Sequence, residues 1–235
     1  MRLTLALCLC AAAAQAQDLT SPYPLARIDA LPRLTTGTPA AGRINADFAR
    51  RDSAVMEAAR DCLMVDPSDQ TGGQTGYWDR TVQIALPGPD FLSVVISDGI
   101  WCPGAAHPSS DTEALTYDLT TGAPVDWAKL LPPDWAADPA LLLDNADQPS
   151  LTSPAMAAYY LRHYDRPADD DCTAVMATEA RHFQVWPDAA SHSLILMPVG
   201  IAHAVVACAD WLSVPLADLT ALHAAPNLIT ALTSP

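Results

Sequence analysis

His107 stands at the end of a turn-forming run, Pro103-Gly104-Ala105-Ala106-His107, with Asp98, Asp111 and Glu113 close by in sequence. A histidine bonded to a carboxylate is the arrangement of a general base or a metal ligand. The same residue also suits a turn whose backbone its ring nitrogens bond. With no second ligand at a metal-binding spacing, the turn reading is the stronger. Gly104 and His107 are therefore kept as a candidate functional turn, not as a catalytic site. His182, His192 and His203 fall in strand-like runs and would make a three-histidine zinc site if strands gathered them, but no H-x-H or H-E-x-x-H spacing supports it. Asp169, Asp170 and Asp171 are three consecutive acids. A calcium loop alternates its acids and carries a glycine, so a solvated loop is expected.

Nucleophile and phosphate motifs are absent from the sequence. There is no G-x-S-x-G, no P-loop and no G-x-G-x-x-G. The six tryptophans, Trp78, Trp101, Trp127, Trp135, Trp186 and Trp211, are scattered. An exposed tryptophan would suit a glycan, but at element ends the residue usually belongs to the core. No catalytic residue, metal or cofactor is assigned.

Composition narrows the class. The 235 residues hold 27 acids against 12 bases, for a formal charge of −15. A nucleic-acid binder needs a basic face, so that class is excluded, and docking on anionic lipid is disfavoured. Residues 1–16 read as a secretory signal. Arg2 is followed by twelve uncharged, mostly apolar residues and by Ala14-Gln15-Ala16, with cleavage expected after Ala16. Cys8 and Cys10 follow leucines, where a lipobox requires a small residue, so lipidation is not expected. Cleavage removes one base and no acid, which takes the charge from −15 to −16. No later stretch is long and apolar enough to span a bilayer, so a periplasmic or secreted protein is expected.

The elements that must position these residues follow from periodicity. Residues 17–42 are rich in Pro, Thr and Gly and read as an extended leading segment. Residues 44–61 lack Gly and Pro and carry a partial apolar stripe, with Arg50 and Arg51 on the solvated side. Alternation then changes to period two around residues 78–86. Strands follow at 91–96 and 113–120, and Val125 to Leu131 leads to a break at Pro132-Pro133. Short helices are expected at 140–143 and 153–164, the second capped by Ser153 with Pro154 at its first position. Strands return at 182–186, 193–197 and 204–208, and a helix at 215–222. The domain is placed at 43–225, with a tail at 226–235.

Four cysteines survive cleavage, and an even number in an exported chain reads as two disulfides. A weak internal echo, Asp61-Cys62-x-x-Val65 against Asp171-Cys172-x-x-Val175, favours Cys62–Cys102 and Cys172–Cys208. Each bridge then ties a helix end to a strand end within its own half.

Residues 91–131 carry a resemblance. Gly104-Ala105-Ala106-His107 and the strand end Tyr117-Asp118-Leu119-Thr120-Thr121-Gly122 are similar to motifs of the extracytoplasmic domain of RsiV-type anti-sigma factors, also found beside some peptidoglycan deacetylase domains. Val214-Pro215-Leu216-Ala217-Asp218-Leu219 resembles that family's closing strand and helix. The resemblance implies an α+β fold with an antiparallel sheet and a few packed helices. It also implies recognition of a cell-wall-associated protein or glycan; in one branch the ligand is lysozyme. It does not carry over an anti-sigma role.

The reading taken is an exported, non-catalytic binding or sensing module. Its expected partner is a cationic envelope protein or a lysozyme-like wall-lytic enzyme. The alternatives are a cell-envelope hydrolase and a structural envelope protein without a ligand.

Overall fold

The computed structural model of the chain describes residues 26–64, 76–136, 150–167 and 170–233. The expected signal at residues 1–16, the helix expected at 140–143 and Asp169 lie outside them.

The leading segment does not stay loose up to residue 42. Ala26–Ile28 form strand β1, which runs parallel to β2, Tyr77–Pro87. Helix α1 spans Pro39–Leu63 and starts five residues earlier than its stripe suggested. Thr38 is the N-cap, its side chain accepting from the Ala41 N–H at 3.1 Å, and Pro39 takes the first turn, where a missing N–H leaves nothing unbonded. The intervening chain is tied to α1 by polar side chains. Asp52 accepts from the Leu31 N–H at 3.1 Å and from Arg33 at 2.6 Å, and Asn45 brackets the Leu34 backbone at 2.8 and 2.9 Å.

Strands β3, Phe91–Trp101, and β4, Ser109–Asp118, complete a first sheet in the order β1-β2-β3-β4. After α2, Trp127–Leu130, comes β5, Leu151–Thr152, followed by α3, Pro154–His163, and α4, Asp171–Glu179. Strands β6, His182–Asp188, β7, Ser193–Val199, and β8, Leu212–Pro215, join β5 in a second antiparallel sheet. Helices α5, Leu216–Ala221, and α6, Pro226–Thr233, close the chain.

Alternation along each strand sorts the side chains into three packed layers. Leu92, Val94 and Ile96 of β3, with Leu115 and Tyr117 of β4, meet Ile44 and Phe48 of α1. On the opposite face, Ala85, Val95 and Ala114 meet Trp186, Ile195 and Met197 of the second sheet. The far face of that sheet, with Phe183, Val185, Leu194 and Leu196, packs under Tyr160 of α3, Met176 of α4 and Leu219 of α5. The order is α1, sheet, sheet, helices. Two covered faces explain why Phe91 to Ile96 are buried without a break. A bulge between Ile84 and Leu86 frees Ala85 from β3, and the Ala85 carbonyl accepts from the Ala189 N–H at 2.8 Å, joining the two sheets through main chain.

Both disulfides form as the echo indicated, with Cα–Cα distances of 4.9 Å for Cys62–Cys102 and 5.1 Å for Cys172–Cys208. Closing loops of 40 and 36 residues stabilises by about 4 kcal/mol each in the chain-entropy account. The second bridge does not end on a strand. Residues 204–208 lie in a 3-10 helix, His203–Cys208, because the free edge of β7 is already taken by β8. Helix α4 is also unanticipated: Asp170 caps it, accepting from the Cys172 N–H at 2.7 Å, and Asp171 sits in its first turn. Two of the three consecutive acids thus begin a helix rather than sit in a loop. Among the described residues no helix is long and apolar enough to cross a membrane.

Residues 226–233 are not a tail. They form α6, whose Leu228 and Leu232 are 0% and 1% exposed in the lower core. Leu228→Ala is therefore expected to lower the unfolding free energy by about 2–5 kcal/mol in urea denaturation, whereas a tail residue would change it by under about 0.5 kcal/mol.

Candidate functional site

The Asp-Leu-Thr-Thr-Gly strand end is a folding device. The Asp118 carboxylate accepts from the Thr120 and Thr121 N–H groups at 2.8 Å each, which turns the chain straight out of β4. Leu119 follows, its N–H donating to the Asp90 carbonyl at 2.8 Å, and Gly122 has a φ of +70°. A Cβ at Gly122 would lie 2.8 Å from the Ala40 Cα, so only glycine lets the turn abut the first turn of α1. Arg43 of α1 donates to the Thr121 carbonyl, with Nε at 2.7 Å. Tyr117, the first residue of the run, packs edge-on against Phe48 at 5.3 Å and donates its hydroxyl to Asp47.

Asp47 and Tyr117 belong to a polar cluster with Arg50 and Arg51, the two arginines expected on a solvated helix face. Arg51 is only 18% exposed and bonds Asp47 at 3.0 Å and Glu113 of β4 at 2.6 Å. Arg50 adds a second bond to Asp47 at 2.7 Å. Burial alone would raise the Asp47 carboxyl, but hydrogen bonds from Tyr117, Arg50 and Arg51 outweigh it and hold it at about 2. Burial pushes the Glu113 carboxyl up, and Arg51 offsets that only in part. The Tyr117 hydroxyl is raised by burial and by the Asp47 carboxylate.

This cluster forms one wall of a pocket of about 130 Å³ at the outer edge of β4. The loop and α2 close it on one side through Pro124, Val125 and Trp127, and the second sheet on the other through Leu151, Gln184 and Val185. The β4 edge here is bonded by groups other than a strand. Val125 N–H donates to the Thr116 carbonyl at 3.0 Å, and the Ala114 N–H donates to Gln184 Oε1 at 2.8 Å. Gln184 is 2% exposed, and among the described residues its Nε2 has no hydrogen-bond partner. An unmet buried amide donor costs about 1–3 kcal/mol. The pocket is lined by apolar residues with Arg51, Thr116, Tyr117 and Gln184 among them, a mixed lining of the kind small-ligand sites have.

The carboxylates expected beside His107 are held elsewhere. Asp98 accepts from Arg80 at 2.9 Å and from Trp78 Nε1 at 2.7 Å, and Glu113 is held by Arg51. His107 is exposed, its Nδ1 lies 3.1 Å from the Pro108 carbonyl, and Gly104 turns the loop at φ +85°. What the structure brings to His107 is His203, stacked at 4.2 Å with ring planes 9° apart. Parallel rings present faces to each other, so their nitrogens do not converge on one ion. Among the described residues no three of His, Cys, Asp or Glu come together as a metal-holding group, so the zinc trio does not assemble; His182 Nδ1 is 2.8 Å from Thr152 Oγ1 and His192 Nδ1 is 2.7 Å from the Leu232 carbonyl. Trp135 and Trp186 are core residues at 3% and 2% exposure, while Trp211 is 53% exposed and edge-on to Trp186.

Gln184, Arg51 and Trp127 were missed as site residues. Gln184 carried a readable signal: it is the one polar residue in the run Phe183-Gln184-Val185-Trp186, where burial on both faces demands a specific partner.

No protein-family model and no curated protein matches the sequence. Two solved structures share the fold. A member of the DUF3298 family from Bacteroides fragilis is 12% identical, with 89% of this chain and 88% of that one covered at a TM-score of 0.54. A DUF3298 family protein from Pseudomonas aeruginosa is 14% identical, with 92% and 94% covered at 0.52.

The acid response of the cluster has a definite sign. The folded Asp47 carboxyl lies below its ordinary 3.8, at about 2, so its stabilisation is full above pH about 4 and is lost as pH falls towards 2. Glu113 is raised and works in the opposite direction, which shallows the loss. Asp47→Asn is expected to cost about 2 kcal/mol at neutral pH and to remove that part of the acid loss, as measured by denaturation midpoints at pH 7, 4 and 2.5.

Proposed function

We propose that the protein is an extracytoplasmic, non-catalytic binding or sensing module for a cationic protein of the cell envelope, a lysozyme-like wall-lytic enzyme being the expected kind. The observation that carries this reading is the charge. Of 12 bases in the chain, Arg27, Arg33, Arg50, Arg51, Arg80, Lys129 and Arg166 are bonded to the chain's own carboxylates. Those bases neutralise an equal number of acids, so the excess of acid in the whole chain remains as a negative field. Such a field repels anionic wall polymers and nucleic acid and steers basic proteins inward. The reading is further supported by the signal-like residues 1–16, by two disulfides suited to an oxidising compartment, and by the resemblance of residues 91–131 to RsiV-type domains. Asp98 and Glu113, two of the three carboxylates near His107 in sequence, are instead committed to ion pairs, which favours binding over catalysis.

Binding is tested by interferometry of the mature chain against a lysozyme and against an unrelated basic protein of similar charge. The lysozyme is expected to bind, with an on-rate falling about tenfold or more as salt rises from 0.01 to 0.15 M and the Debye length shrinks from about 30 to about 8 Å. The unrelated protein should bind far more weakly. Equal binding of both, or of neither, would overturn the reading.

A further inference from the structure

The two disulfides sit at opposite ends of their helices. Cys62 lies in the last turn of α1, with only Leu63 after it, and Cys172 lies in the first turn of α4, directly after Asp171. A helix carries partial positive charge at its N-terminus and partial negative charge at its C-terminus. On reduction, a thiolate is therefore opposed at Cys62 and favoured at Cys172. Two acids work against it at Cys172: Asp171 shares the first turn, and Asp170 accepts from the Cys172 N–H at 2.7 Å.

Arg166 tips the balance. Its Nη1 donates to Cys172 Sγ at 3.4 Å. The rest of its fork is taken, because Nε and Nη2 bond Asp210 at 2.7 and 3.0 Å and Nη2 also bonds the Ala207 carbonyl at 3.2 Å. Asp210 offsets the charge of Arg166 but leaves Nη1 aimed at the sulfur. A thiolate accepts a much stronger hydrogen bond than a disulfide sulfur, so opening the bridge strengthens this contact. The chain around Cys208 is also held without the bridge. The Tyr164 hydroxyl donates to the Cys208 carbonyl at 2.6 Å, and the Tyr160 hydroxyl to the Asp210 carbonyl at 2.8 Å. These bonds keep Cys208 opposite α4 after reduction, so the bridge can close again.

We propose that Cys172–Cys208 is a reversible redox bridge, opened by a dithiol to leave a Cys172 thiolate on Arg166, while Cys62–Cys102 is a permanent staple. Opening breaks the bond between Cys172 and Cys208 sulfurs and forms one between the two sulfurs of the dithiol. Two electrons pass from the dithiol to the protein. One of its two protons goes to Cys208 and the other to solvent. The device does not depend on the partner reading above, since it needs no bound protein.

The test equilibrates the mature chain at pH 7 in mixtures of reduced and oxidised dithiothreitol, then quenches with acid, alkylates, and maps each bridge by mass spectrometry. Cys172–Cys208 is expected to be half reduced at a ratio of reduced to oxidised reagent at least about tenfold lower than Cys62–Cys102 requires. Arg166→Gln should raise the ratio needed for Cys172–Cys208 by about threefold or more. Asp171→Asn, a change to an exposed side chain, should lower it. Neither should move Cys62–Cys102. Circular dichroism should hold while Cys172–Cys208 alone is open, and removal of the reagent should restore the bridge. Should Arg166→Gln fail to fold, Asp171→Asn decides. The proposal is overturned by equal midpoints, by Cys62–Cys102 opening first, by a Cys172–Cys208 midpoint that the deciding variant leaves in place, or by unfolding when that bridge opens.

Discussion

The layer between the two sheets sets the terms for the rest of the molecule. Ala85, Val95 and Ala114 on one side meet Trp186, Ile195 and Met197 on the other, so small residues face large ones and the sheets come close. In so apolar a layer, a buried polar group needs a partner. Ser93 and Thr116 meet this by bonding each other at 3.1 Å. Gln184 meets half of it, through Ala114. The outer faces are covered as a consequence, by α1 above and by the helices from α3 to α6 below.

Because each half supplies a sheet with its own helical cover, each half is also stapled separately. Cys62–Cys102 ties the end of α1 to the chain just after β3, and Cys172–Cys208 ties α4 to the 3-10 helix. Neither bridge crosses between the sheets. The join between halves is carried by the apolar layer, by the Ala189–Ala85 main-chain bond and by Gln184, with the His107–His203 stack at the surface. The turn from Asp118 to Gly122 sets α1 against β4, and that places Arg51 on the pocket wall.

Much of this was legible in the residues. Alternation around 78–86 located β2, and Ser153-Pro154 located the start of α3 to the residue. The cysteine echo paired the bridges correctly because each loop closes within one half. The failures have physical causes. Thr38-Pro39 is a cap signal, but the flanking Gly37 and Gly42 masked it. Residues 204–208 look like a strand, yet strand identity depends on a free edge, which a sequence window does not contain. Leu228 and Leu232 had the spacing of a buried face and were passed over for lying near the chain end. The pocket was the least legible, since it draws Arg51, Trp127 and Gln184 from three separate stretches, and only the packing of sheet on sheet brings them together.

Gln184 holds the edge of β4, and backbone hydrogen exchange at Ala114 reads that directly. Ala114 N–H points away from β3, and its acceptor is the Gln184 side chain at 2.8 Å. Thr112, two residues earlier on the same edge, donates its N–H to the exposed Asp111 carboxylate at 2.9 Å. By NMR-detected exchange, the Ala114 amide is expected to be slowed by about 100-fold or more relative to unstructured chain, and the Thr112 amide by far less. An Ala114 amide that exchanges as fast as Thr112 would contradict the account, because the two sheets would then not be joined through Gln184.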